Sequence, residues 1–352
     1  MPPTAPGRKT LPLSRRLLFA SVPLLALLLG AEVLIRAFRA PLHFGSFREL
    51  RTDMLKRNYP AARDPLLGYV PKAGFASRDN HWGTAVSIDE HGMRRNGDGA
   101  PPAGDRCIAC VGDSFTFGDQ VDDDASWPAQ LERALGQPVR NGGVFGYSLT
   151  QAVLRGEQMI ERFPVATLVV SFISDDLTRS EFSWRYGPVP WFDLVGDGLE
   201  LRGVPIDFGR VSSHPGKRWK DFFAHSALVD AVLANTMRRW WYEDEKQVTV
   251  PRLAGKGEEI GKRLVDRIAT KCRERGVRLL LVLQGERARP DALAVMRHAA
   301  ARGVQAIDLA TAFVERKARE PELQGRWFAG HMTREGNGWV AEQVAAALRA
   351  PR

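Results

Sequence analysis

The stretch CIACVGDSFTFG, residues 107–118, decides how this chain is read. Cys107–Val111 is a run of small and apolar residues, short enough for a strand and apolar enough to be buried on both faces. Gly112-Asp113-Ser114 then breaks it. Glycine and aspartate are turn formers, so the serine is presented just past the end of a core strand. Such a serine is either part of a turn or a nucleophile, and the rest of the sequence has to discriminate.

The cysteines in the stretch draw a different reading first. Cys107 and Cys110 have C-x-x-C spacing, but redox pairs sit at a helix start, where the dipole lowers a thiol pKa. These two lie inside an apolar run and, three apart on a strand, point to opposite faces. Cys272 continues the stripe Ile260, Leu264, Ile268 and reads as a small core hydrophobe. Three cysteines make no disulfide framework, and the seven histidines show no paired ligand spacing. No metal and no other cofactor is expected.

Composition points to an ordinary globular protein: 352 residues, 44% hydrophobic and 26% charged. The net charge of +9 comes from arginines scattered along the chain. With no zinc-finger spacing and no basic region on heptads, nucleic acid is not an expected partner.

Residues 17–31, LLFASVPLLALLLGA, carry no charge; Glu32 interrupts, and Val33 to Ile35 extend the apolar run. At ~1.5 Å per residue, residues 17–35 come close to spanning the ~30 Å hydrocarbon core of a bilayer. Arg8, Lys9, Arg15 and Arg16 precede the run and favour a cytoplasmic N-terminus, residues 1–16. A cleaved signal peptide is the rival reading. No small-x-small site follows, and Arg36 and Arg39 come directly after. The expectation is a retained single-pass anchor, with the remainder on the far, periplasmic side of an inner membrane.

Residues 36–105 read as a linker and N-terminal extension, punctuated by proline and glycine, with a strand in AVSIDEHGMRR turning at Gly92 and a loop over 95–105. From Arg106 onward strands and helices alternate. SWPAQLERALG is a helix with Ser126 as N-cap, Pro128 in its first turn and Gly136 after its end. PVRNGG is a short strand and turn, SLTQAVLRGEQMIERF a helix, and ATLVVSFI a strand buried on both faces. Helix 256–275 precedes strand VRLLLVLQ, helix RPDALAVMRHAAARG precedes VQAIDL, and NGWVAEQVAAALRA closes the chain. This alternation predicts an α/β three-layer sandwich with a mostly parallel central sheet over residues 106–352.

Residues 184–251 read as an insertion holding five of the nine tryptophans, with a hairpin around Asp197-Gly198. Flat aromatic faces suit sugar rings, which makes Trp184 and Trp191 substrate-side candidates. The bland alternative is a satellite core packed on the sheet.

In an open parallel sheet, ligands bind beyond the carboxyl ends of the strands. Three turns there carry chemistry: Gly112-Asp113-Ser114, NGGVFGYS over 141–148, and FISDDL over 172–177. Serine needs a base within reach and donors for the oxyanion. His331, in a loop before the last helix, is the candidate base. The Ser114 and Gly146 amides are candidate donors.

Together these blocks resemble the SGNH/GDSL hydrolase family, in its membrane-anchored bacterial form. Gly112-Asp113-Ser114-Phe115-Thr116-Phe117-Gly118 is similar to the first block, with Ser114 as the implied nucleophile. Asn141-x-Gly143-x-x-Gly146-Tyr147 is similar to the second, with Gly146 as the implied oxyanion glycine. GHMTREGNGWVAEQVAAAL resembles the last, with His331 as base, and SIDEHGMRR resembles the family's Gly-x-Arg turn. The likeness runs from about Asp64 to the C-terminus. It implies a flavodoxin-like fold and ester chemistry.

Two positions depart from the family. Its third block carries Asn then Asp, the Asn donating to the oxyanion; here the pair is Asp175-Asp176. Its acid lies two or three residues before the histidine; here those residues are Ala329 and Phe328. Three outcomes follow. Asp175, or Asp176 beside it, supplies the acid from the other side; Ser114 and His331 work as a dyad; or the domain binds without turnover. The expected function is an envelope-facing esterase or acyltransferase acting on an acylated small molecule, glycan or lipid. A catalytically degenerate binding or assembly module of a polysaccharide pathway is the alternative.

Overall fold

A computed structural model describes residues 12–39, 45–48, 50, 58–99, 106–209, 217–243 and 247–350. Arg8 and Lys9 of the basic flank, and 100–105 of the expected loop, lie outside the described residues. The chain divides into two compact units: residues 1–52 with 213–245, and residues 53–212 with 246–352.

The larger unit is built on five strands: β1 Cys107–Val111, β2 Val139–Asn141, β3 Val165–Phe172, β4 Arg278–Leu283 and β5 Gln305–Asp308. They pair in the order β5-β4-β3-β1-β2, every pair parallel. Parallel pairing follows from the connections, since each strand returns through a helix. The central strands alternate along most of their length. Cys107, Ala109, Val111, Leu168, Val170 and Leu281 face one apolar layer, with the helices Leu149–Arg162, Gly257–Glu274 and Pro290–Ala301. Ile108, Cys110, Val169, Leu280 and Val282 face the other, with Trp127–Leu135, Leu309–Arg319 and Arg334–Arg349. The three-layer α/β sandwich with a parallel sheet is therefore what the chain forms, and Cys107 and Cys110 do sit on opposite faces as free, buried thiols. Helix ends also follow the sequence signals: Ser126 Oγ accepts the amide of Ala129, and Gly136 closes that helix in the left-handed region.

The strand order reverses beside β1. The chain leaves β1 for the edge strand β2, then returns to β3 on the other side. That is the topological switch point where a doubly wound sheet opens a crevice, and Ser114 follows β1 directly.

Residues 58–99 pack on this unit as a scaffold. Strands Ala61–Asp64 and Gly68–Pro71 form an antiparallel pair. Tyr69 OH donates to the Phe145 carbonyl at 2.8 Å, and Tyr147 OH donates to the Tyr69 carbonyl at 2.6 Å. The turn after β2 is thereby clasped from below. The segment read as one tryptophan-rich insertion is divided. Its hairpin, Trp191–Val195 with Gly198–Arg202, belongs to the sheet unit and turns at Gly196-Asp197, one residue before the expected Asp197-Gly198, because Gly198 already pairs with Val195. Trp219, Trp240 and Trp241 belong to the smaller unit.

The smaller unit contains the apolar helix, Leu13–Arg39, 27 residues long and continuous through Pro23. Its stretch Ser14–Phe38 is long and apolar enough to cross a membrane, as an anchor or a signal sequence would be, and none of it is buried in protein. Among the described residues, helices Lys217–Phe223 and Ala227–Thr236 and the short helix Arg239–Glu243 belong to the same unit. Ala224, Ala234, Trp241 and Tyr242 form its small core. Asp230 is buried there and accepts from Trp241 Nε1 at 2.9 Å and Tyr242 OH at 2.8 Å.

Candidate active site

Ser114 opens a four-residue helix, Ser114–Phe117, at the end of β1. Asp113 caps it: Asp113 Oδ1 accepts the amide of Phe115 at 3.0 Å. Gly118 ends it in the left-handed region. The serine is thus fixed on a tight strand-to-helix turn. Gly143, in the turn after β2, lies against the backbone of Thr116 and Phe117, where any Cβ would collide. This contact locks the first two sequence blocks together. Gly146 holds φ at 73°, which favours glycine.

Arg94, from the Gly-x-Arg turn, anchors the loop beyond Ser114. It is buried, donates Nε to Asp123 Oδ1 at 3.0 Å, and donates to the carbonyls of Phe117, Gly118 and Val121. Burial pulls its pKa down, and Asp123 opposes that pull. A single side chain here satisfies several buried carbonyls that would otherwise be costly.

His331 comes from a tight two-strand turn, Phe328–Ala329 paired with His331–Met332 around Gly330. Its Nε2 lies 2.9 Å from Ser114 Oγ. Phe115 packs its ring 5.1 Å from the imidazole. Burial lowers the imidazole pKa from its ordinary value, while buried Asp113 raises it. The sequence paired Ser114 with His331 across the chain, and the structure brings them within hydrogen-bond reach.

The positions before the histidine supply no acid. Phe328 is buried against Phe313, with ring centroids 4.7 Å apart, and Ala329 is exposed. The imidazole instead meets Gln120, which sequence reasoning did not single out. Gln120 Oε1 accepts the His331 backbone N–H at 3.2 Å, and Gln120 Nε2 faces Nδ1 at 3.3 Å. A backbone N–H can only donate, so the carboxamide orientation is fixed. Nδ1 must then accept, which places the ring proton on Nε2, pointing at Ser114 Oγ. A base about to take the serine proton needs the opposite tautomer.

Asp119 is the second unpredicted neighbour. Its Oδ2 lies 3.7 Å from His331 Nε2, and its Oδ1 is buried with no hydrogen-bond partner. Burial, reinforced by Asp113, pushes its pKa up to about 8. It is therefore mostly neutral at pH 7.

The two carboxylates after β3 are taken by arginines. Asp175 Oδ1 pairs with Arg289 Nη1 at 3.2 Å. Asp176 is buried, accepts the Ile173 amide at 3.1 Å and pairs with Arg179 Nη1 at 2.5 Å. Arg179 also meets Asp113 Oδ2 at 3.3 Å and donates to the Tyr147 carbonyl at 3.2 Å. One guanidinium so joins all three turns at the sheet's carboxyl edge. Burial pushes the carboxyl of Asp176 well up, and the nearby Asp113 adds to it. Neither Asp175 nor Asp176 hydrogen-bonds His331. Trp184 pairs with Val248 in a separate short ladder, and Trp191 lies on its hairpin against Gly203. The hydrogen bonds and ring contacts of the Ser114–His331 pair include neither tryptophan.

No family model and no curated protein matches the chain. It is similar to several solved structures. One is a lipolytic protein of the G-D-S-L family from Desulfitobacterium hafniense DCB-2, at 15% identity, covering 68% of this chain and 98% of that one, TM-score 0.38. Another is the acetyl xylan esterase AlAXEase, at 14% identity, covering 69% and 99%, TM-score 0.40. A third is an acetyl xylan esterase from Geobacillus stearothermophilus, at 13% identity, covering 72% and 100%, TM-score 0.38.

Proposed function

We propose that the sheet unit is a serine esterase or acyltransferase of the SGNH/GDSL type, acting on O-acyl groups, with Ser114 as nucleophile and His331 as base. The observation that carries this reading is the 2.9 Å approach of Ser114 Oγ to His331 Nε2 at the switch point of the sheet. Ser114 Oγ would attack the acyl carbonyl carbon while Nε2 takes its proton. The tetrahedral oxyanion would face the Ser114 and Gly146 amides. The proton then passes to the departing alcohol, leaving an acyl-serine. Water or a second hydroxyl completes the cycle. The apolar helix, retained as an anchor, would hold this unit on the extracytoplasmic side, facing envelope glycans or lipids.

In the resting arrangement Gln120 donates to Nδ1, so the cycle requires its carboxamide to turn or withdraw as the imidazolium forms. Burial and the nearby Asp113 carboxyl act on the imidazole in opposite directions. A Ser114–His331 dyad of modest rate fits this better than a full triad. The Gln120 contact also favours a second reading, a domain that binds an acylated ligand without turning it over. Exposing the purified full-length protein to p-nitrophenyl acetate and to a serine-directed phosphonate, beside Ser114→Ala, separates the two. Covalent labelling and turnover that vanish in the variant support the esterase. Identical behaviour of the two proteins overturns it.

A further inference from the structure

We propose that residues 217–243 form a platform embedded in the lipid–water interface, held there by Glu32 of the apolar helix. Two observations point to phospholipid as its partner.

The first is the surface of the platform. Trp219 is 69% exposed, Phe222 70% and Phe223 44%. They stand three and four residues apart on the helix Lys217–Phe223, so they share one face. Their rings touch: Trp219 and Phe223 lie 6.5 Å apart, and Phe222 and Phe223 lie 5.1 Å apart. Val232, Met237 and Trp240 add further exposed apolar surface, and Arg218, Arg238 and Arg239 are exposed around it. An exposed aromatic cluster ringed by arginine is costly in water. It matches the headgroup–acyl boundary, where indole and phenyl rings partition and cations meet phosphate.

The second is the connection to the apolar helix. Glu32 is the one carboxylate within residues 17–35. Its oxygens accept from Ser226 Oγ at 2.8 Å and from the amides of Ala227 and Leu228 at 2.9 and 2.8 Å. Arg36 Nη2 pairs with it at 2.8 Å. The carboxylate thus caps the helix Ala227–Thr236, whose first-turn amides would otherwise lack partners. Glu32 lies roughly 22 Å along the axis from Leu17, at ~1.5 Å per residue. If Arg15 and Arg16 mark one headgroup layer, a ~30 Å core puts Arg36 at the other. The platform is therefore pinned at the far boundary. The same contacts exist only while Glu32 stays on the chain.

This proposal rests on the apolar helix being a retained anchor, so the test reads that separately. The native cysteines are buried, which lets single exposed cysteines be labelled selectively. Full-length protein carrying Leu27→Cys, Phe222→Cys, Val232→Cys or Val314→Cys would be spin-labelled and reconstituted into vesicles of phosphatidylethanolamine and phosphatidylglycerol. Collision with oxygen and with a water-soluble nickel chelate would then be measured at each site. Leu27 and Phe222 should both favour oxygen, with Phe222 shallower, Val232 should follow Phe222, and Val314 should favour nickel. Phe222 and Val232 behaving like Val314, while Leu27 still favours oxygen, overturns the platform and keeps the anchor. Leu27 favouring nickel overturns the anchor and the platform with it. Phe222 shielded from both reagents means that protein covers the patch, and also overturns the proposal.

Discussion

Among the described residues, the sheet unit leaves Val195 and Val314 as its only exposed large hydrophobics. The smaller unit exposes ten along its apolar helix, from Phe19 to Phe38, and six more from Trp219 to Trp240. Both units bury charge, and both pair it: Arg94 with Asp123 in one, Arg48 with Asp221 in the other. The difference lies only on the outside. One unit obeys the rule for a surface in water; the other carries the surface that the proposed lipid contact needs. Exposed apolar area thus reports the solvent for which a surface was built.

The largest expected effect separates the units by function. Ser114→Ala should reduce ester hydrolysis about 10³-fold or more, and leave lipid accessibility at Phe222 unchanged. Esterase assays and spin-label accessibility on the same preparation check both. Hydrolysis that survives the substitution removes the active site from the sheet unit.

Next is stability. Arg94→Ala strips a buried guanidinium from Asp123 and from the carbonyls of the loop beyond Ser114. A loss of about 3–5 kcal/mol is expected, read by chemical denaturation followed through activity. Phe222→Ala, on an exposed ring, should change stability by less than about 0.5 kcal/mol. If the two variants destabilise equally, the contrast between a packed interior and an exposed apolar face fails.

What the sequence could and could not reveal follows the range of the interactions. The β1 run, the Ser126 cap and the Ser114 turn are local patterns, legible because backbone sterics and apolar periodicity set them. The blocks around Ser114, Gly146 and His331 were legible through resemblance. Gln120 was not. Its role depends on a contact 211 residues away, and no propensity encodes that. Arg179 was hidden for the same reason, since it meets Asp113 across 66 residues. The tryptophans misled by composition. Five fell in one segment, but Trp184 and Trp191 belong to the sheet unit while the other three belong to the smaller one.

Gln120→Glu sharpens the catalytic side of the comparison. A carboxylate at that position can accept from both the His331 amide and Nδ1–H. The ring proton then moves to Nδ1, and Nε2 is free to take the serine proton. A gain of about tenfold in kcat is expected, well short of the roughly 10⁴ that a fully formed acid contributes elsewhere. Because the imidazole pKa is lowered from 6.5 in the wild type, a new carboxylate should also raise the pH at which activity begins. A pH–rate profile reads both changes. A loss of rate with no shift would mean that Gln120 positions the ring better as an amide, and would favour the binding reading.

The last test concerns the charge buried beside His331. Asp119 has a folded pKa of about 8 against an ordinary 3.8, raised first by burial and then by Asp113. The native state therefore holds a proton that the unfolded chain releases above about pH 4. Stability contributed by this site is present below that pH and is lost progressively as pH rises toward 8. A carboxamide in its place cannot titrate, so Asp119→Asn should melt progressively higher than wild type from about pH 5 to pH 8, and the gap should level off above it. For a unit of this size the difference amounts to about 2–4 °C per kcal/mol. Thermal melts of both proteins across that range give the answer directly. Parallel curves would mean that Asp119 is already ionised at neutral pH, with Arg94 holding its charge, and His331 would then face an anion on the Nε2 side in place of a neutral acid.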